Sequence, residues 1–204
     1  MTSGSSPIAK RILKLARSQG MLRSQDLKSR DLPVSYLWHL ERAGLLKRLD
    51  RGLYALASLP FSEYLSELEV AKRVPDGVLC LVSALSFHDL TLEYAHEVWL
   101  AIRPGRHHIR MNHVKVHYVH LSGKSLTEGI ETHRVDGMEL KVYSAAKTVA
   151  DCFKFRHLVG MDVAMQALKQ GLEERRFSPS ELEHFSRINR VARVMQPYVE
   201  ILLV

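Results

Sequence analysis

Cysteine is nearly absent from this sequence. Cys80 and Cys152 stand 72 positions apart, so neither a thiolate metal cluster nor a disulfide scaffold can be built, and both read as free thiols in a reducing compartment. Long apolar runs are missing too: no stretch approaches the ~18 residues that span a bilayer. The opening MTSGSSPIAKRILKLARSQG is interrupted by charge, unlike the apolar centre of a secretory leader. A cytoplasmic protein is therefore expected. There is no Gly-rich phosphate loop, no nucleophile elbow, no internal repeat and no low-complexity tract. Hydrophobic residues still make up 46% of the 204-residue chain, which allows a packed core in one or two domains.

Charge is present but unevenly placed. Of 29 Lys/Arg and 22 Asp/Glu, residues 1–60 hold 11 and 4, leaving 18 of each in the remainder. The whole net charge of +7 therefore sits in the first third of the chain. A concentrated basic segment is the electrostatic footprint of a polyanion binder, although a basic, merely soluble surface has the same composition.

Within those sixty residues the helix and turn signals follow a recognisable order. Ser6 as N-cap and Pro7 at the first helical position open a helix that Gly20 ends, with Ile8, Ile12, Leu15 and Ala16 on one face. A short second helix fits Ser24–Ser29, capped by Ser24. After a turn of about four residues, Pro33 opens a third over Val34–Ala43, ended by Gly44. Leu45–Leu49 and Leu53–Leu56 flank Asp50-Arg51-Gly52, a hairpin turn with Gly where positive φ is cheap. Three helices and a basic hairpin make a winged helix-turn-helix. At ~100° per residue Val34, Leu37 and Leu40 face inward, while Ser35, His39 and Arg42 face outward with Tyr36 and Trp38 beside them. Ser35, Tyr36, His39 and Arg42 are expected to meet base edges or phosphates, and Lys47, Arg48 and Arg51 of the hairpin to meet backbone or minor groove. Trp38 is expected to pack, partly buried.

Pro60–Ser62 marks a domain boundary where net charge changes, dividing residues 1–60 from 61–204. Beyond it helical patterns occupy Glu63–Val74 and Val78–Leu90. Strand-like segments follow at Glu97–Arg103, Val114–Leu121 and, around the turn Asp136-Gly137, Ile130–Val135 and Met138–Tyr143. Helices return at Ser144–Arg156, Met161–Arg175 and Ser178–Arg190, the last with a capping box. The expected class is α+β: the winged domain, then a mixed α/β domain with a small, mainly antiparallel sheet.

The run from Leu37 through Ala43-Gly44-Leu45-Leu46, Arg48-Leu49 and Arg51-Gly52-Leu53-Tyr54 resembles the N-terminal domain of AbiEi-type antitoxins. Ser83-Ala84-Leu85 and Ser144–Arg156 are similar to segments of that family's C-terminal domain. The resemblance implies a transcriptional autorepressor that binds double-stranded operator DNA in its own promoter and counters a nucleotidyltransferase-like toxin encoded beside it. It implies no enzyme activity and no cofactor. The alternative is a winged-helix transcription factor whose second domain dimerises or senses a ligand.

Three further constellations invite chemistry. Lys147 and Asp151, four apart on one helical face, suit a surface ion pair or an antitoxin contact surface. His113 and His117 share a strand face ~13 Å apart and His120 points to the other, so no metal site is expected; Arg103, Arg106, His107, His108 and Arg110 instead suggest an anion-contacting loop. Glu139-Leu140-Lys141 matches half of a nuclease motif, with Asp136 or Asp76 as the missing acid, a pattern that chance supplies in many strands.

Overall fold

The computed structural model describes residues 6–58, 63–92 and 96–203. The expected boundary at Pro60–Ser62 lies outside them.

The first helix, α1 (Pro7–Gln19), begins as its sequence dictates: Ser6 Oγ accepts the Ala9 amide at 3.1 Å. It ends at Gly20, whose φ of 68° suits only glycine; a Cβ there would also lie 2.6 Å from Met138 Cγ. β1 (Met21–Arg23), α2 (Ser24–Lys28) and α3 (Ser35–Arg42) follow. The second helix is capped from Arg23 rather than Ser24: the Arg23 amide donates to Asp26 Oδ2, and the Ser24 amide donates instead to the Gly52 carbonyl. The hairpin β2 (Leu46–Asp50) and β3 (Leu53–Leu56) joins β1 in an antiparallel sheet ordered β1-β3-β2. Ile12, Leu22, Leu27, Leu37, Leu40 and Leu46 fill the space between helices and sheet.

The rest of the chain builds a second, five-stranded sheet. Its strands are β4 (Val78–Leu79), β5 (Val98–Ile102), β6 (Val116–His120), β7 (Ile130–Val135) and β8 (Met138–Tyr143), in the order β6-β5-β4-β8-β7. The α+β class is as expected, with one refinement. β4–β5 and β7–β8 are antiparallel while β5–β6 and β4–β8 are parallel, so this sheet is mixed. The parallel pairs arise because the chain crosses over between these strands instead of returning by tight turns. The apolar run after Gly77, read as one helix, divides into β4 and α5 (Leu81–Phe87).

α4 (Leu65–Arg73) covers one face of this sheet. The helices α5, α7 (Ala145–Lys154), α9 (Met161–Glu173), α10 (Pro179–Ile188) and α11 (Ala192–Leu203) cover the other, with the short helices α6 (Lys124–Thr127) and α8 (Arg156–Val159) between. Met21 and Leu53 of the winged part share a core with Leu68, Leu79, Val98 and Met138, so the wing sheet packs directly against the larger sheet.

α7 lies at the centre of the helical layer, against α5, α9 and α10. This corrects the expectation for Lys147 and Asp151. They are 0% and 1% exposed, an ion pair inside the core rather than a contact surface. Lys147 Nζ donates to both Asp151 carboxylate oxygens at 2.6 and 2.5 Å and lies 4.2 Å from the Tyr143 ring centre. Asn189 Nδ2 donates to Asp151 Oδ1, and Ser125 Oγ donates to Asn189 Oδ1. Burial pushes the Asp151 carboxyl above the ordinary range even against Lys147 and Asn189. The pair faces inward because neighbouring elements enclose α7 on every side, leaving each residue from Ala145 to Phe153 buried.

Candidate nucleic-acid interface

α3 is short and strongly two-sided. Leu37 and Leu40 are buried against the winged core, and Ser35, Trp38, His39 and Arg42 are exposed. Tyr36 is half-buried at the margin, its ring edge-on to His39. Trp38 departs from expectation: it is 51% exposed, not a packing residue. Helical phase explains this. At ~100° per residue Trp38, Arg42, Ser35 and His39 occupy a continuous ~100° arc, opposite the leucine stripe. The Arg42 guanidinium carbon lies 4.8 Å from the Trp38 ring centre, and the His39 ring stands edge-on to the indole at 4.9 Å. The stacking restrains Arg42, whose ordering on a ligand then costs less.

The hairpin supplies the second part. Lys47, Arg48 and Arg51 are exposed, and Gly52, with a φ of 72°, turns the chain between β2 and β3. Arg48 Nε reaches the Asp50 carbonyl at 3.3 Å. Asp50 itself is buried beneath the turn, where its carboxylate accepts the Arg51 amide at 2.7 Å, Arg73 Nη2 at 2.7 Å and Asn112 Nδ2 at 2.8 Å. Burial alone would raise its pKa; the Arg51 amide, the Arg73 charge and Asn112 outweigh that and hold it below the usual value. Arg73 also donates to the Arg51 carbonyl, so α4 fixes the hairpin turn from beneath. Sequence reasoning missed this support because Arg73 and Asn112 lie 23 and 62 residues from Asp50.

α4 also fixes α2. Lys72 Nζ meets Asp26 Oδ2 at 3.2 Å and Gln19 Oε1 at 3.1 Å, and Arg23 Nη1 donates to the Lys72 carbonyl. Between α2 and the hairpin turn lies a shallow cleft of about 440 Å³ whose lining includes Arg23, Lys28, Arg51 and Arg73. Arg23, Lys28 and Arg51 beside this open cleft suit a phosphate backbone, while the Arg73 charge is already met by Asp50. Ser35, His39 and Arg42 therefore come together on one helix, and Lys47, Arg48 and Arg51 on one hairpin. Lys147 and Asp151 join neither group.

A helix-turn-helix with an exposed polar arc, followed by a basic hairpin, is a nucleic-acid-binding arrangement shared by many regulators. Comparison narrows it. Residues 10–57 match a family model described as "Transcriptional regulator, AbiEi antitoxin". The match covers about a quarter of the chain and takes in most of α1 and everything from there through β3, including all seven candidate DNA contacts. No curated protein matches the chain. Among solved structures, the RV2827C protein from Mycobacterium tuberculosis is similar at a TM-score of 0.55 and 16% identity, over 88% of this chain and 71% of that one. At that identity the likeness concerns the fold alone, and it extends past residues 10–57 into the second sheet and its helices.

The other constellations separate. Glu139 stands opposite Arg134 in the β7–β8 ladder, and Lys141 Nζ donates to the Pro75 carbonyl. Among the described residues no group of three or more His, Cys, Asp or Glu is placed to hold a metal ion. Both cysteines are buried, and burial pushes their thiols well above the ordinary range. No helix among the described residues is long and apolar enough to cross a membrane.

Proposed function

We propose that this protein is a DNA-binding autorepressor and the antitoxin of a nucleotidyltransferase-like toxin encoded beside it. The observation that carries the reading is the exposed arc of α3 beside a basic hairpin, within a segment matching an antitoxin regulator family. Ser35, His39 and Arg42, joined by Trp38, read base edges; Tyr36 sits at the margin of that helix. Lys47, Arg48 and Arg51 hold phosphates. Residues 1–60 form the DNA-binding domain and 61–204 the antitoxin domain, working in the cytoplasm without cofactor or catalysis. One short recognition helix reads few base pairs, so the operator contains repeats, most simply an inverted pair occupied by a dimer.

Fluorescence anisotropy with a duplex from the operon's own promoter tests this at increasing salt. Affinity should fall steeply with salt through counterion release, and Arg51→Ala or Lys47→Ala should weaken all sequences alike, each lowering the salt slope by about one. Replacing Ser35, His39 or Arg42 should change sequence preference. Salt-independent binding overturns the DNA assignment. Growth rescue by the full chain against the neighbouring toxin tests the antitoxin assignment; promoter repression without rescue overturns it.

A further inference from the structure

Residues 103–124 contain five Lys/Arg and five histidines but no Asp or Glu. Along an extended strand these histidines cannot converge. The fold brings two of them together another way, because the segment between β5 and β6 doubles back across β6. The Ile109 amide donates to the Tyr118 hydroxyl, and that hydroxyl donates to the Ile109 carbonyl, each at 3.0 Å. This strap lays the His108 imidazole on the Tyr118 ring, with centroids 4.2 Å apart and planes at 12°. Tyr118 and His120 are two apart on a strand and so share a face. His108 therefore also reaches His120, with Nε2 to Nε2 at 3.2 Å, ring centroids 5.2 Å apart and planes at 25°.

We propose that His108 and His120 form a two-imidazole binding site for a divalent transition-metal ion of the zinc class. A tetrahedral ion ~2.05 Å from each nitrogen separates the two nitrogens by ~3.3 Å and the ring centroids by ~5.2 Å. Both distances agree with those of the pair. A straight N–H···N hydrogen bond with the same nitrogen separation would place the centroids ~5.5 Å apart. The spacing equally suits a bent N–H···N hydrogen bond between the two rings, which a bound ion would replace. The donor set is all nitrogen, which suits zinc, nickel or copper and not magnesium or calcium. Among the described residues no third His, Cys, Asp or Glu converges there, and both rings are exposed, so water fills the remaining positions. An ion held there ties the 103–115 loop to the edge strand β6, and through Asn112 the same loop touches Asp50 beneath the wing.

Isothermal titration of the full chain with ZnCl2, and separately NiCl2, at pH 7.5 in a non-chelating buffer tests the site. The expected result is one saturable equivalent, weakened at least about tenfold by either His108→Asn or His120→Asn and unchanged by His107→Asn or His113→Asn. Both side chains are exposed, so circular dichroism and thermal unfolding of the metal-free variants should match those of the parent chain. Absence of a saturable equivalent overturns the proposal. So does equal weakening by the His107 or His113 variants, which would make the binding a property of a histidine-rich surface.

Discussion

Lys147→Met tests the ion pair that the fold buries within α7. Methionine matches the length of lysine and leaves little cavity, so the change mainly strands the Asp151 carboxylate, with Asn189 as its remaining side-chain donor. Breaking a buried ion pair from one side costs about 3–5 kcal/mol. In a fold of this size each kcal/mol moves the unfolding midpoint by about 2–4 °C, so a fall of roughly 6–20 °C is expected. The pH dependence has a definite sign. Burial already raises the Asp151 pKa, and losing Lys147 removes the main opposing influence. A carboxyl whose folded pKa exceeds its unfolded value favours folding in acid and loses that contribution as pH rises. The variant should therefore be less destabilised relative to the parent chain at pH 5 than at pH 8. Lys147→Met/Asp151→Leu, which removes both charges, should recover more than about 1 kcal/mol relative to the single variant. Urea unfolding at the two pH values measures all of this. A single variant within about 1 kcal/mol of the parent, or a double variant no better than the single, would refute the argument.

Trp38 and Trp99 divide the intrinsic fluorescence cleanly, since Trp38 is 51% exposed and Trp99 8%. Operator binding should shift the emission of the full chain, and Trp38→Phe should abolish the shift; a shift that survives would place the indole outside the interface. Trp38→Ala should weaken operator affinity about 5–30-fold, from about 1–2 kcal/mol of lost apolar contact, and an unchanged affinity would contradict the recognition arc. Asp50→Asn should cost on the order of 1–3 kcal/mol at neutral pH by loosening the Arg73 clamp. Because the Asp50 pKa is lowered in the fold, its contribution is present above the unfolded carboxyl value and is lost as pH falls through the folded one. The stability difference between parent and variant should therefore shrink in acid, and a difference equal at pH 7 and pH 3 would refute the electrostatic account.

The winged part was readable because its signals are local. Ser6-Pro7 caps, Gly20 stops and Asp50-Arg51-Gly52 turns, each through contacts a few residues away. β1 was missed because three residues between a helix stop and a helix start carry no period of their own. Trp38 was misplaced by residue type, although its helical phase puts it on the outer arc. Lys147 and Asp151 were misplaced for a different reason. The i, i+4 spacing gives the pairing, but whether the shared face meets water depends on α5, α9 and α10, which close around α7 from distant parts of the chain. The sequence reading also stopped at Arg190, before α11, a helix that carries Pro197 in its interior. The convergence of His108 and His120 was hidden because treating the segment as one straight strand leaves out the return of the loop.

These long-range contacts bear on how the protein can be divided. A fragment of residues 1–60 has all seven candidate DNA contacts. It nevertheless lacks Arg73 and Asn112, two of the three donors to buried Asp50, and exposes Met21 and Leu53, which pack against the larger sheet. An unpaired buried carboxylate costs several kcal/mol unless it protonates or reaches water, and a sixty-residue unit has little stability to spare. The fragment should therefore unfold at a lower urea concentration than the winged part of the full chain, with weakened amide protection in β1–β3. Its DNA affinity should fall even though every contact residue is retained. Arg73→Ala in the full chain should reproduce part of that loss without touching α3 or the exposed hairpin cations. Amide exchange in the fragment equal to that in the full chain, together with full operator affinity, would show that the wing is independent of α4 and that the Arg73–Asp50 clamp is incidental.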